Sequence, residues 1–389
     1  MIIGGSRWQT DLIRRASELG LLTIVTDISE HAPGRLLADE FVQIDTNDRD
    51  GLLEIARQKK VSIVLADQSD RIVPVAAFLN EQLQLNGIRP DTARVFTDKY
   101  AMRNALAGSG FRMPHYAEVA TVPEALEAAT EWGHPSVLKP KNSTASFGIF
   151  KVANEQELRD RFAGSMSESR DGKILVEEFI EGTEATVEGF SLDGKCTALA
   201  ISEKEHYSSN SCVARRLAYP PRFEAETLKR ITETNEEVVN TLGLRDGISH
   251  AEYRVRDGIP YLVEVAARGG GNRIASVIIQ HVSGVDVYEM LINCLLGQDV
   301  RMPSRLSRAA NLEFLNFPPG TVKGIFGLET VRESNLVCDI ELHFSLGETI
   351  KPPNDDKSRH GYFISLGETR DEIDEKARRV KELLKIEYV

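Results

Sequence analysis

Apolar positions in the first part of the chain alternate between short runs and helical spacing. Met1-Ile2-Ile3 is a short run, Leu12, Ile13, Ala16 and Leu19 recur on one helical face, and Leu21 to Asp27 is again strand-like. Phe41-Val42-Gln43-Ile44, a helical stretch over 50–59 and the run Val61–Asp67 continue the alternation. This order predicts a parallel, doubly wound sheet. A helix is predicted over 92–108, then an extended linker at Met113-Pro114, a helix over 123–132 and a strand entered at Pro135.

Beyond Pro135 strands dominate. The stretch 137–152, VLKPKNSTASFGIFKV, reads as strand, small-residue loop and strand; 174–184, ILVEEFIEGTE, as a strand running into an acidic segment; 186–202 as strands around Asp193-Gly194. Glu203–Arg216 breaks the alternation with His206, Ser208, Ser209, Asn210, Arg215 and Arg216, and is read as a mobile substrate loop. A long amphipathic helix follows over 224–242. Residues 301–389 show strands at 311–315, 337–346 and 361–366, and a capping box at Thr369-Arg370-Asp371-Glu372 before a final helix. No chemistry is expected in this tail.

The strongest chemical signal is 249–273, SHAEYRVRDGIPYLVEVAARGGGNR. With period two, Ala251, Tyr253 and Val255 share one side of a first strand and Glu252, Arg254 and Arg256 the other. A two-residue Asp257-Gly258 turn would pair Glu252 with Val263. A three-residue loop, Asp257-Gly258-Ile259, pairs Tyr253 with Val263 and sets Glu252 opposite Glu264, leaving one face wholly apolar, so it is the predicted geometry. Facing carboxylates repel unless something positive lies between them. Mg²⁺, held by one or two carboxylates with waters and substrate phosphates, would resolve that, so the pair predicts a phosphate-bearing substrate. On an isolated hairpin, two solvated glutamates are the commoner arrangement, so the remaining features must decide.

At 389 residues the chain has room for two or three domains. Its 59 acidic and 47 basic residues give a net charge of −12, without a long basic stripe, which argues against a nucleic-acid partner. Four widely spaced cysteines read as reduced thiols, and no run of membrane length or leader-like start is present, so a cytoplasmic protein with no membrane partner is expected. Gly4-Gly5-Ser6 lacks the spaced glycines of a dinucleotide fingerprint, which argues against nicotinamide binding; this loop and Asp67-Gln68-Ser69-Asp70 are placed at strand ends facing a cleft. Lys139 followed by the small-residue loop suits phosphate, as an ammonium and as closely approaching N–H groups. The run Gly269-Gly270-Gly271-Asn272 before a helix is read as an anion site.

Lys99, the Lys139 strand with its loop, Glu177–Ile180 with Glu184, and the Glu252/Glu264 hairpin with Arg268 resemble, in order and spacing, the ATP-grasp superfamily over essentially the whole chain. The likeness is greatest to the L-amino acid ligases and other carboxylate–amine ligases. It implies an α/β fold in three parts: a Rossmann-like domain over 1–92, a two-lobed α+β nucleotide-binding domain over 93–300 with its small lobe at about 113–183, and a β-rich module over 301–389. It further implies that Lys99 and Lys139 hold ATP phosphates, and that Ser143 to Gly148, with Ser146, close over them. Glu177, Glu178, Phe179 and Ile180 would clamp adenine, with Glu184 on ribose. Glu252 and Glu264 would bind Mg²⁺, or Mn²⁺ in its place. Arg268 would stabilise the phosphoryl group in transit, while His250, Gly269, Gly270 and Arg215 would meet substrate. One departure is Ala266, where many members carry an asparagine ligand; it leaves the number of metals open.

The implied reaction is ADP-forming: a substrate carboxylate, an amino acid or similar, becomes an acyl phosphate and is captured by an amine. A purine-pathway-like ligase acting on formate or bicarbonate is the nearest rival, favoured by a basic cluster near Gly4–Arg7. A nucleotide-binding module without turnover is the other. A homodimer is admitted by analogy alone.

Overall fold

A computed structural model of the chain describes residues 1–142, 147–208, 210–304 and 306–389. At the front, β1 (Ile2–Ile3), β2 (Ile24–Asp27) and β3 (Glu40–Gln43) run parallel in that order, and the helix Thr10–Glu18 buries Leu12, Ile13 and Ala16 as its spacing predicts. The run 61–67, expected as a fourth strand, meets β1 by a single parallel bridge, Leu65 to Ile2, with 2.9 Å bonds to Met1 and Ile3, while the Ile63 carbonyl accepts from the Met1 amino group at 2.8 Å. Its Asp67 side chain turns instead to Gly269 and Tyr288. The helix expected over 92–108 is two helices, Pro90–Thr97 and Lys99–Ala105. Asp98 between them is extended, and its carboxylate accepts from Ala101 N at 2.9 Å, capping the second.

Next comes a four-stranded sheet of β4 (Tyr116–Val119), β5 (Ser136–Pro140), β6 (Phe150–Val152) and β7 (Ile174–Glu178), ordered β4-β7-β5-β6. The helices Val122–Trp132 and Glu155–Met166 supply its core, around Ala125, Leu138, Leu158, Phe162 and Val176. The expectations for Ser143 and Ser146 fall on residues outside those described.

The large sheet begins with β8 (Thr183–Leu192), β9 (Lys195–Tyr207), β10 (Asn210–Tyr219), β11 (Gly247–Arg256) and β12 (Ile259–Ala266). The final residues add β13 (Ala309–Phe314), β14 (Gly320–Phe326), β15 (Asp339–Leu342), β16 (Thr349–Ile350), β17 (Gly361–Gly367) and β18 (Lys385–Tyr388). Among the described residues β14, β16 and β18 form a small sheet, whereas β13, β17 and β15 continue the large one in the order β12-β11-β8-β9-β10-β13-β17-β15. The tail is therefore hydrogen-bonded into the sheet that carries the glutamate hairpin.

Glu203–Arg216 is not a loop. β9 and β10 run through it as an antiparallel pair, with register shifts between Asn210 and Arg216. Its polarity has a structural cause: one face of these strands forms the wall of a cleft. The other side of the sheet is apolar, with Tyr253, Leu262 and Val265 packed against Ile231, Val238 and Val239 of the helix Ala225–Thr241. No helix among the described residues is long and apolar enough to cross a membrane.

Candidate active site

The hairpin closes through the two-residue turn Asp257-Gly258, at φ of 53° and 71°, not through a three-residue loop. Arg256–Ile259, Arg254–Tyr261 and Tyr253–Leu262 are therefore the pairs nearest the turn. A β-bulge at Val263 then absorbs one residue, and beyond it Glu252 stands opposite Glu264. Asp-Gly turn preference and facing glutamates are incompatible in a regular ladder; the bulge satisfies both. It also places Leu262 on the buried face, while Tyr261 and Val263 turn from it, the reverse of the predicted alternation.

Glu252 and Glu264 line one cavity of about 710 Å³. Lys139, Glu177 to Ile180, Glu184, His250 and Arg268 line it too, so most of the expected residues share a single space. Lys99 reaches it indirectly, its ammonium 3.0 Å from Glu264. Arg215 does not: it pairs with Glu205 and Glu313 and faces a separate cavity behind β10. The wall also includes Glu341, His343 and Arg359, whose guanidinium lies 3.6 Å from the Phe314 ring centre. The tail, expected to be chemically silent, thus closes one end of the cleft.

Cations answer the carboxylates one by one. Lys204, which polarity had assigned to a loop, lies 2.5 Å from Glu184 and 2.8 Å from Glu252. Glu184 also meets His206 at 3.1 Å and Arg254 at 3.0 Å. Burial alone would raise its pKa, but Lys204 and then His206 outweigh that and hold it at about 2. His250 lies 2.8 Å from the buried Glu188 and 3.6 Å from Glu252; burial opposes its charge, yet Glu188 foremost pushes its pKa up to about 9. Read as strand, the alternation Ser202, Lys204, His206 would have put Lys204 and His206 on one face.

Lys139 is buried, 2.6 Å from Glu177, and burial first, then Arg103 and Lys99, lower its pKa against the pull of Glu177. Glu178 and Phe179 donate their N–H groups to His115 and Pro135 carbonyls, and the Phe179 ring lies 3.7 Å from the Lys151 ammonium. Gly148 takes a φ of 68° at the end of the small-residue loop. From the front, Asp70 grips Arg268 with two bonds, 2.7 and 2.9 Å, and Asp67 accepts from Gly269 N at 2.7 Å. That N–H is already used, and the helices that follow are the short Ile274–Ile278 and Ile279–Ser283; of the glycine run, Gly271 and Asn272 line the cavity, whereas Gly269 and Gly270 are not part of its lining. Gly270 packs on His250: a Cβ there would lie 3.1 Å from Nδ1.

Two hard carboxylates facing across neighbouring strands suit Mg²⁺. Among the described residues no group of three or more His, Cys, Asp or Glu stands ready to hold a metal, and the Ala266 methyl group offers no ligand atom, so an ion here would complete its shell with substrate oxygens and water.

A family profile for the ATP-grasp domain matches residues 132–276, and one for L-amino acid ligase C-terminal domain 2 matches 313–389. Dapdiamide A synthase of Enterobacter agglomerans is 25% identical over 371 residues, covering 87% of this chain and 84% of that protein. Formate-dependent phosphoribosylglycinamide formyltransferase of Ignicoccus hospitalis is 22% identical over 410 residues, covering 99% and 95%. The crystal structure of L-amino acid ligase from Bacillus licheniformis shares the fold with a TM-score of 0.86 at 23% identity, covering 100% of this chain and 98% of that one. Residues 132–276 thus carry an ATP-grasp domain and 313–389 an L-amino acid ligase C-terminal domain 2, on a fold shared with that ligase structure. Alanine–anticapsin ligase of Bacillus subtilis is also similar, 25% identical over 283 residues, covering 66% of this chain and 58% of that protein.

Proposed function

We propose that the protein joins an amino acid, through its carboxylate, to an amine, releasing ADP and phosphate. The observation that carries this reading is the Glu252/Glu264 pair facing across the bulged hairpin in one cavity with Lys139 and Arg268. Glu252 and Glu264 would hold Mg²⁺, which would supply positive charge to the nucleotide phosphates. Lys99 and Lys139 hold the phosphates, the 177–180 segment flanks the adenine and Glu184 takes the ribose. Arg268, fixed by Asp70, stabilises the phosphoryl group as the substrate carboxylate attacks it, since such transfer is catalysed mainly by positioning and charge. The amine then displaces phosphate from the acyl phosphate. Walls from the front segment and the tail exclude water from that intermediate.

The match to the L-amino acid ligase C-terminal domain supports an amino acid over a one-carbon acid. A basic cluster near Gly4–Arg7 would favour the purine-like alternative, but Arg7, which does line the cavity, is ion-paired with Glu341. A coupled assay for ADP release across amino acids, amines, formate and bicarbonate tests the reading. Amino-acid-dependent release supports it; release only with formate or bicarbonate replaces it; no release with any carboxylate makes the protein a nucleotide binder.

A further inference from the structure

Arg103 is fully buried in the helix Lys99–Ala105, and its guanidinium ties together three elements. Nε and Nη2 donate to Glu177 Oε1 at 3.2 and 3.1 Å, and Nη2 reaches Oε2 at 3.3 Å. Nη1 donates to the Leu262 carbonyl and Nη2 to that of Val263, both at 2.8 Å. Those carbonyls belong to the bulge beyond which Glu264 faces Glu252. Glu177 Oε2 is in turn 2.6 Å from Lys139 Nζ.

Charge decides what this does. A buried carboxylate between two cations leaves one positive charge over; with Lys139 alone it would form a neutral pair, the ammonium committed to Glu177 rather than to a ligand. We propose that Arg103 is a positioning residue: by neutralising Glu177 it keeps Lys139 available to the nucleotide phosphates, and by holding the 262 and 263 carbonyls it fixes the bulge that aims Glu264. The inference rests on the reading of Lys139 as a phosphate contact. Arg103 itself is not among the residues that line the cavity.

The test measures MgADP binding to the full chain by calorimetry, with circular dichroism and thermal melting to check folding. Lys139→Met should lose affinity; unchanged affinity there overturns the reading of Lys139 and this inference with it. If that loss is seen, Arg103→Met should weaken MgADP about tenfold or more, and adding Glu177→Gln should restore most of the loss, because Lys139 regains an uncompensated charge. A double variant no tighter than Arg103→Met overturns the inference alone, since a merely structural arginine predicts no rescue. Where Arg103→Met does not fold, Arg103→Lys carries the test. It keeps the charge but not the four-way reach, so it should bind MgADP within about threefold of the parent while turnover falls about tenfold or more. Affinity and turnover falling together overturn the proposal.

Discussion

The Lys99 ammonium lies 3.0 Å from Glu264 Oε2, so a cation proposed for phosphate and a carboxylate proposed for metal form one ion pair. Nucleotide and Mg²⁺ together would exchange this contact for two new ones without leaving either charge bare. Glu264→Gln keeps the shape and removes the charge. It should cut ADP formation about 100-fold or more while shifting the melting temperature little, because the side chain is a quarter exposed, at 25%. Near-normal turnover would refute the metal assignment.

Arg268 is held by Asp70 in a bidentate pair, aimed before any substrate arrives. Arg268→Ala should therefore lower kcat by about 100-fold and leave the Kd for MgATP within about threefold, the signature of a group used mainly in the transition state. A loss confined to nucleotide affinity would reassign Arg268 to ground-state binding.

Glu184 links stability to pH. Its folded pKa, about 2 against an ordinary 4.5, is depressed, so its contribution is complete above about pH 4.5 and is lost as pH falls toward 2. Glu184→Gln should be less stable than the parent at neutral pH by on the order of 3 kcal/mol, the equivalent of that shift. The gap should close in urea titrations carried down through this acid range. A gap independent of pH would show that Lys204, His206 and Arg254 do not act on its charge.

Gly182 precedes β8 at a φ of 144°, and a Cβ there would lie 2.1 Å from the Val255 carbonyl. Neither the backbone angle nor the space admits a side chain. Gly182→Ala should destabilise the fold by about 3 kcal/mol or more and weaken MgADP binding by displacing Glu184. Urea denaturation and calorimetry read the two effects, and a parent-like midpoint would show that the strands part easily here.

Sequence carried the first three strands of the front sheet, the glutamate pair and the order of the cavity-lining segments because each is written in local alternation or in residue type. The bulge was not written there: Tyr261, Val263 and Val265 alternate as an unbroken strand would, and only the conflict between the Asp-Gly turn and the facing glutamates pointed to an inserted residue. Lys204 escaped because a strand whose cleft face is charged resembles a loop. Arg103 escaped because one arginine four residues after a lysine reads as a solvated helix face; its burial depends on carbonyls some 160 residues away. The tail seemed silent because its contribution is made by pairing and by enclosure, and neither leaves a motif.

The continuity of the large sheet sets terms for engineering. β10 meets β13 through Arg216–Glu313 to Tyr219–Ala310, so the last residues are woven into the fabric rather than docked on it. Swapping this region with that of a relative would have to preserve those rungs, and a chimera cut near residue 300 without them should fray into the hairpin's own neighbours before it could acquire a new preference.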